Sequence, residues 1–255
     1  MLEVKNLITK IDEKTILKSI NIKVEKGEVI GLIGQNGSGK STLFNSVLGL
    51  VKFNSGEVDI DGEKADYSKN GKRKLRRDVT LVMQDPDRQI FYSTVRDDLM
   101  FPLRNLKVPE EEAKQRVENV MKTINMEYLA DRFVQNLSYG EKKRVTIAGA
   151  MLLEPKYLFM DEPTAGLDPR LTRQMKEILS DLKKTCGIVV SSHDMDFIYG
   201  VSDYIYVIKN GEIVLEGDKD TVYENEQIIM DAGLDIPGGF RIKKLMEKYG
   251  IKDEI

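Results

Sequence analysis

Cysteine and histidine are almost absent from this 255-residue chain, which has one of each, Cys186 and His193. A single cysteine excludes an intramolecular disulfide and makes a reducing cytosol the expected compartment. One imidazole and one thiolate are also too few to build a soft transition-metal site within the chain. No stretch approaches the roughly 18 to 20 apolar residues needed to cross a bilayer. The opening segment MLEVKNLITK, charged at Glu3 and Lys5, lacks the apolar core of a signal peptide. Neither sign of charge dominates: 39 basic and 42 acidic residues, spread along the chain, give a formal net charge of -3, so no basic stripe marks a nucleic-acid partner. What the chain does have is apolar material, 41% of its residues, enough for a substantial core in one large domain or a core domain carrying an insert.

The segment GEVIGLIGQNGSGKSTLFNSVLGL combines an apolar strand over 29–33, a glycine-rich turn, and a helix beginning near Lys40 with Leu43, Phe44, Val47, Leu48 and Leu50 as apolar positions. Within it, Gly34, Gly39, Lys40 and Ser41 fill the pattern G-x-x-x-x-G-K-[ST]. Glycines allow positive φ and let backbone N–H groups press against phosphate oxygens; the lysine reaches the β- and γ-phosphates, and the serine hydroxyl ligates Mg²⁺. The helix N-terminus adds partial positive charge at the same place. The expected nucleotide-binding run is Gly34, Gln35, Asn36, Gly37, Ser38, Gly39, Lys40, Ser41 and Thr42.

Further along, KYLFMDEP is an apolar run ending in Asp161 and Glu162, suited to a buried parallel strand that delivers carboxylates at its C-terminal end. Consecutive strand side chains point to opposite sides, so the two acids need not share a role. Asp161 is expected to hold Mg²⁺ through water, and Glu162 to polarise the attacking water. Between these elements, NLSYGEKKRVTIAGAMLL places Ser138 and Glu141 as an S-x-x-E capping box ahead of a helix with apolar positions at Val145, Ala148, Met151 and Leu152. A capped helix N-terminus with a glycine, here Gly140, is also an anion site able to meet a γ-phosphate.

LSYGE resembles the signature motif of the ATP-binding cassette (ABC) ATPases, usually written L-S-G-G-Q, with Tyr139 for the first glycine and Glu141 for glutamine. The remaining motifs follow in that family's order. Gln84 in LVMQDPD matches the glutamine that contacts Mg²⁺ and relays nucleotide state to the membrane partner. Asp168 in AGLDP matches the loop that crosses the dimer interface, and His193 in SSHDMDF matches the switch histidine that contacts the γ-phosphate and positions the water. The resemblance covers about residues 2 to 220.

The resemblance implies an α/β fold: a phosphate-loop NTPase core with a short N-terminal β region and a helical subdomain inserted at about 88–150. A helical tail over 221–255, to which the sequence assigns no role, follows this core. The resemblance also implies two chains, most simply a homodimer, that sandwich two ATPs. Each ATP is then held by the phosphate loop of one chain and by Ser138, Tyr139, Gly140 and Glu141 of the other. Glu162 and His193 would be catalytic, and Ser41, Gln84 and Asp161 would serve Mg²⁺. Tyr139 replaces a small residue near the nucleotide. Ile11 stands where the family often has an adenine-stacking aromatic, so weaker apolar contact would replace stacking.

Two further segments complete the reading. VPEEEAKQRVENVMKTINM opens with Pro109 and three glutamates and spaces Ala113, Val117, Val120, Met121 and Ile124 on one helical face. DRQIFYSTVRDDLMFP carries Phe91, Tyr92 and Phe101 where the family has a groove for a coupling helix of the membrane subunit. QDPDRQIF and SSHDMDFIY look most like the ATPase subunit of energy-coupling-factor importers, particularly the cobalt/nickel type. Such a chain would sit peripherally on the cytoplasmic face of the cell membrane, with a transmembrane coupling subunit and a substrate-specific membrane component as partners. The vitamin-importing energy-coupling-factor ATPases are the alternative within transport. Soluble ABC ATPases of DNA repair or translation are the alternative outside it, and their usual coiled-coil insertion, cysteine-rich zinc modules or paired cassettes are missing. With the only imidazole committed to nucleotide and Cys186 standing alone, choice of a transported ion is expected to reside in a membrane partner.

Overall fold

Strands that are apolar on both faces require a layer of structure on each side of their sheet. The computed structural model, which describes residues 1–250, has that layering. In chain order its first half comprises β1 (Leu2–Ile11), β2 (Lys14–Val24), β3 (Val29–Ile33), α1 (Lys40–Val47), β4 (Ser55–Ile60), β5 (Glu63–Lys64), α2 (Gly71–Asp78) and β6 (Val79–Val82). Three helices follow, α3 (Val95–Asn105), α4 (Glu110–Thr123) and α5 (Tyr139–Leu152). The chain then forms β7 (Tyr157–Asp161), α6 (Pro169–Leu182), β8 (Gly187–Ser191), α7 (Met195–Val201), β9 (Tyr204–Lys209), β10 (Glu212–Asp218), α8 (Lys219–Glu224), α9 (Glu226–Asp231) and α10 (Gly238–Tyr249).

Six strands make the central sheet in the order β10-β9-β3-β8-β7-β6. All neighbours are parallel except the edge pair β9 and β10. A second, antiparallel sheet has the order β2-β1-β4-β5. Alternation along β7 distributes its side chains between the two layers. Tyr157 and Phe159 share a core with Leu43, Phe44 and Val47 of α1 and with the antiparallel sheet. Leu158 and Met160 share one with Met175 and Leu179 of α6 and with Phe197 and Ile198 of α7. A third core joins α3, α4 and α5 through Leu99, Leu103, Val117, Met121, Val145 and Ala148.

Local chemistry explains most element ends. Ser138 accepts the N–H of Glu141 and Glu141 reaches back to the N–H of Ser138, so α5 starts with both halves of a capping box. Pro109 lies at the N-cap of α4, whose buried face is Ala113, Val117 and Met121, with Val120 only half-buried. Leu50 departs from expectation. The left-handed Gly49, at φ 65°, closes α1 and turns the chain away, which leaves Leu50 47% exposed instead of on the apolar side of the helix. Part of the segment between β10 and residue 240 is built into the core. Val222, Tyr223, Ile229 and Phe240 join the core beneath α6 and α7, and Tyr199 of α7 meets Tyr223 and Phe240 edge-on at 5.8 and 5.9 Å.

Phe159 is fully buried and its ring centroid lies 5.0 Å from that of Phe44. Phe159→Ala is expected to reduce the free energy of unfolding by about 3–5 kcal/mol in a denaturant titration. Because Phe44 anchors the helix that follows the glycine loop, nucleotide affinity should fall with it. A loss below about 1 kcal/mol would show that this ring is not a core contact.

Candidate functional site

The site is positioned by strand register. Ser191 of β8 pairs with Leu32 of β3 on one side and with Asp161 of β7 on the other. Three parallel strands therefore end in one row, the place where open α/β sheets bind ligands. From β3 the chain passes through residues 34–39 into α1. A Cβ on Gly34 would come 2.2 Å from the carbonyl oxygen of Ile208 on β9, and Gly39 takes φ 116° at the N-cap of α1, so both positions require glycine. The first N–H groups of α1 have no partner within the helix and face the mouth of the loop. The buried ammonium of Lys40 donates to the carbonyls of Gly34 at 2.6 Å and Gln35 at 3.1 Å. Burial pulls this lysine below its ordinary pKa, while Glu162 and Asp161 act in the opposite direction.

Asp161 continues the face of Tyr157 and Phe159, which is the face α1 covers. Its Oδ2 accepts from Ser41 Oγ at 2.6 Å and its Oδ1 from Ser191 Oγ at 2.6 Å. Glu162 lies past the end of the strand, so strand alternation does not govern it as the sequence suggested. At φ 48°, and with its N–H donated to both the carbonyl and the hydroxyl of Ser191 at 3.1 Å, it turns off the sheet edge and brings its carboxylate back over the same cleft. That carboxylate is buried, 5% exposed. Its Oε2 accepts the backbone N–H of His193 at 3.1 Å. Its Oε1 lies 3.1 Å from His193 Nε2 but receives no hydrogen bond, because Nε2 is directed at Asn36 Oδ1, 2.7 Å away.

Asn36, Gly37, Gly39, Lys40, Ser41, Thr42, Gln84, Asp161, Glu162 and His193 line one cleft of about 270 Å³, with Ile16 of β2 as its apolar wall. Gly34, Gln35 and Ser38 belong to the same loop behind this lining. The apolar side chain at the cleft is thus Ile16 and not Ile11. Asp12 and Glu13, both at positive φ, reverse the chain between β1 and β2, which leaves Ile11 41% exposed at the strand end and delivers Ile16 to the loop. Ser138, Tyr139, Gly140 and Glu141 do not line this cleft. The Tyr139 ring lies back on its own chain, its hydroxyl donating to the Gln84 carbonyl at 2.9 Å and its edge resting against Gly166. Gly140 packs so near Leu171 that a Cβ would meet that side chain at 2.6 Å. Asp168 caps α6, accepting the N–H groups of Arg170 and Leu171 at 2.8 and 2.9 Å.

Three residues at the site carry no motif. Ser191 holds both acids, and its one signal in the sequence is its place two residues before the only histidine. Lys143 of α5 is fully buried and donates to the Glu162 carbonyl at 2.8 Å, although the run EKKR reads as solvated charge. Gly233, just after α9, presses on the phosphate loop: a Cβ there would fall 1.5 Å from the Gln35 side-chain nitrogen. The tail that had no role in the sequence therefore touches the glycine loop.

A parallel sheet ending in a glycine loop, a helix N-terminus and a pair of carboxylates defines a phosphate-loop nucleoside-triphosphatase. The ABC transporter family model matches residues 17–165. The energy-coupling factor transporter ATP-binding protein EcfA3 of Clostridium perfringens is 41% identical over 93% of this chain and 83% of its own length. The cobalt import ATP-binding protein CbiO of Salmonella paratyphi A is 41% identical over 93% of this chain and 88% of its own. The solved structure of cbiO1 from Clostridium perfringens, described as part of the ABC transporter complex cbiONQ, superposes with a TM-score of 0.81 at 39% identity, covering 96% of this chain and 98% of that one. This chain belongs to the ABC transporter family, as an ATP-binding, ATP-hydrolysing member.

Gly34→Ala tests the loop directly. The added carbon would strike backbone on β9, not a movable side chain. ATP binding, followed by titration of a fluorescent ATP analogue, is expected to be lost while circular dichroism still reports a folded chain. Retention of native affinity would mean that the loop and β9 can separate.

Proposed function

We propose that this chain is the ATPase subunit of a membrane importer and energises the uptake of cobalt or nickel ions through partner membrane proteins. The hydrolytic part rests on the convergence of Lys40, Asp161, Glu162 and His193 on one cleft beside the glycine loop. The choice of ion rests on similarity to a cobalt import ATP-binding protein. Similarity to EcfA3 favours a second reading, an energy-coupling-factor ATPase, for which the alternative cargo is a vitamin.

In this reading the phosphates of ATP lie against the N–H groups of the loop and α1, and Lys40 exchanges the Gly34 and Gln35 carbonyls for the β- and γ-phosphates. The residues present suit Mg²⁺: Ser41 Oγ and Asp161 Oδ2 are 2.6 Å apart, Gln84 lines the same cleft, and all three offer the oxygen donors that a hard cation prefers. When bound, the ion neutralises charge on the β- and γ-phosphates. Glu162 serves as the general base. Its Oε1, free of any donor, takes the proton of the attacking water while the His193 N–H holds Oε2 in place. His193 turns Nε2 from Asn36 to the γ-phosphate and orients that water.

Segment 138–141 lies outside the chain's own cleft, so its anion-binding helix end is assigned to the ATP of a second copy, and two chains sandwich two ATPs. Phe91 and Tyr92, 74% and 41% exposed, form with Phe101 the face for a transmembrane coupling subunit, to which a substrate-specific membrane component is added. The chain would sit peripherally on the cytoplasmic side of the membrane. Among the described residues no helix is long and apolar enough to cross one.

Glu162→Gln is expected to keep ATP affinity, lose turnover by about 10²- to 10⁴-fold and accumulate as an ATP-held dimer on size-exclusion chromatography. Near-normal turnover would sink the base assignment. His193→Ala is expected to depress hydrolysis sharply with little change in melting temperature. A purely structural histidine would show the reverse, because leaving its partners unsatisfied costs about 1–3 kcal/mol of stability.

A further inference from the structure

Lys143 is a charged side chain with no solvent exposure, set one turn into the helix that begins with segment 138–141. Its Nζ donates to the Glu162 carbonyl at 2.8 Å and lies 5.9 Å from the centroid of the Tyr139 ring. Burying an ammonium is unfavourable unless it is compensated. Desolvation here pulls the lysine down to about 8, against the opposing influence of Asp161, Glu162 and Asp85. Tyr139 could fill an apolar niche without a charge beside it, so the one directional contact that accounts for this ammonium is the bond to Glu162.

That bond falls on a strained peptide. Glu162 has φ 48°, a region that non-glycine residues occupy only where the surroundings over-determine it. Its N–H is held by Ser191, and its carbonyl accepts the N–H of Ala165 at 3.2 Å. Lys143 contributes the one anchor on this carbonyl that comes from another element, 19 residues away. Tyr139, four residues earlier and hence on the same face of α5, makes a parallel bond to the Gln84 carbonyl. Two consecutive turns of α5 thus grip the backbone of two loops that line the cleft.

Resting on the assignment of Glu162 as the base, we propose that Lys143 is a positioning residue for hydrolysis. Its ammonium, delivered by α5, holds the Glu162 peptide in the conformation that aims the carboxylate into the cleft. The helix end offered to a second chain is thereby tied to the base in its own cleft.

Lys143→Met keeps an unbranched apolar stem and removes the donor. In steady-state ATPase assays kcat is expected to fall by about tenfold or more, with KM and ATP affinity within about twofold of native. Melting temperature is expected to fall, because the buried Glu162 and its neighbour Asp161 lose a compensating charge, so kcat is compared at a temperature where both proteins remain folded. In a Glu162→Gln background the same change should cost less than about a further twofold, since groups that act as a unit are not additive. An unchanged kcat in Lys143→Met, or a full multiplicative loss in the double variant, overturns the proposal. Near-normal turnover in Glu162→Gln alone would instead remove the base assignment, and the proposal with it. Lys143→Leu, shorter, uncharged and likewise without a donor, passes through the same cycle if the methionine variant does not fold.

Discussion

Ser191 stands in the one row where β3, β8 and β7 end together, and the polar site depends on that register. Its hydroxyl donates to Asp161 and accepts the N–H of Glu162, and its carbonyl accepts the same N–H. Two residues later, the backbone of His193 binds the Glu162 carboxylate. A slip of one residue in β8 would turn Ser191 to the opposite face and undo all of these bonds. What prevents the slip is apolar. Every residue of β8 is buried, with Ile188 and Val190 in one core and Val189 in the other, so a slip would force both close-packed cores to repack. The hydrophobic layers thus determine where the hydrogen bonds of the site can form.

The cleft is also an electrostatic balance. Two carboxylates, Asp161 and Glu162, face two buried ammonium groups, Lys40 and Lys143, and desolvation draws both lysines below their usual range. Each sign is tolerated in a poorly hydrated place because the other is near. Adding a triphosphate overturns this balance. Lys40 can turn to the phosphates only by leaving two loop carbonyls, and Asp161 and Glu162 would then stand beside further negative charge. The proposed Mg²⁺ and the N-terminus of α1 supply the missing positive potential, which is why both are needed at the same corner of the sheet.

Features of the site that depend on local chemistry were readable in the sequence. The strand over 29–33, the glycines before Lys40, the acidic end of KYLFMDEP and the S-x-x-E cap all arise from hydrophobic period, backbone freedom or neighbouring side chains, and the structure has each of these elements. The features that were not readable depend on how distant segments approach. The run EKKR gives no hint that its second lysine is enclosed while its neighbours stay partly exposed. Ile16 displaced Ile11 because of two left-handed residues in a turn that has no glycine. The alternation rule placed Asp161 correctly and failed at the next residue, where the backbone leaves the extended region. Gly233 lies in the tail to which the sequence assigned no role, yet its bare Cα is what lets the tail close on Gln35.

The substitution of Tyr139 in the signature motif takes on a different meaning once its neighbours are known. A ring placed where the family has glycine would be an obstacle if it projected toward nucleotide. Here its hydroxyl is satisfied by the Gln84 carbonyl, and its edge is accommodated by Gly166, where a Cβ would meet the ring at 3.1 Å. The bulk gained at 139 is therefore matched by the absence of a side chain at 166. Beside it, Lys142 pairs with Asp87 at 2.6 Å, so the first two turns of α5 are bonded to residues 84 and 87 as well as to Glu162. Residues 84 to 92 run from the cleft to the exposed Phe91 and Tyr92. A displacement of that exposed face must either carry the N-terminus of α5 with it or break the Tyr139 and Lys142 contacts. These bonds join the proposed docking face to the nucleotide cleft through one hydrogen-bonded network, a physical route along which the two sites can be coupled.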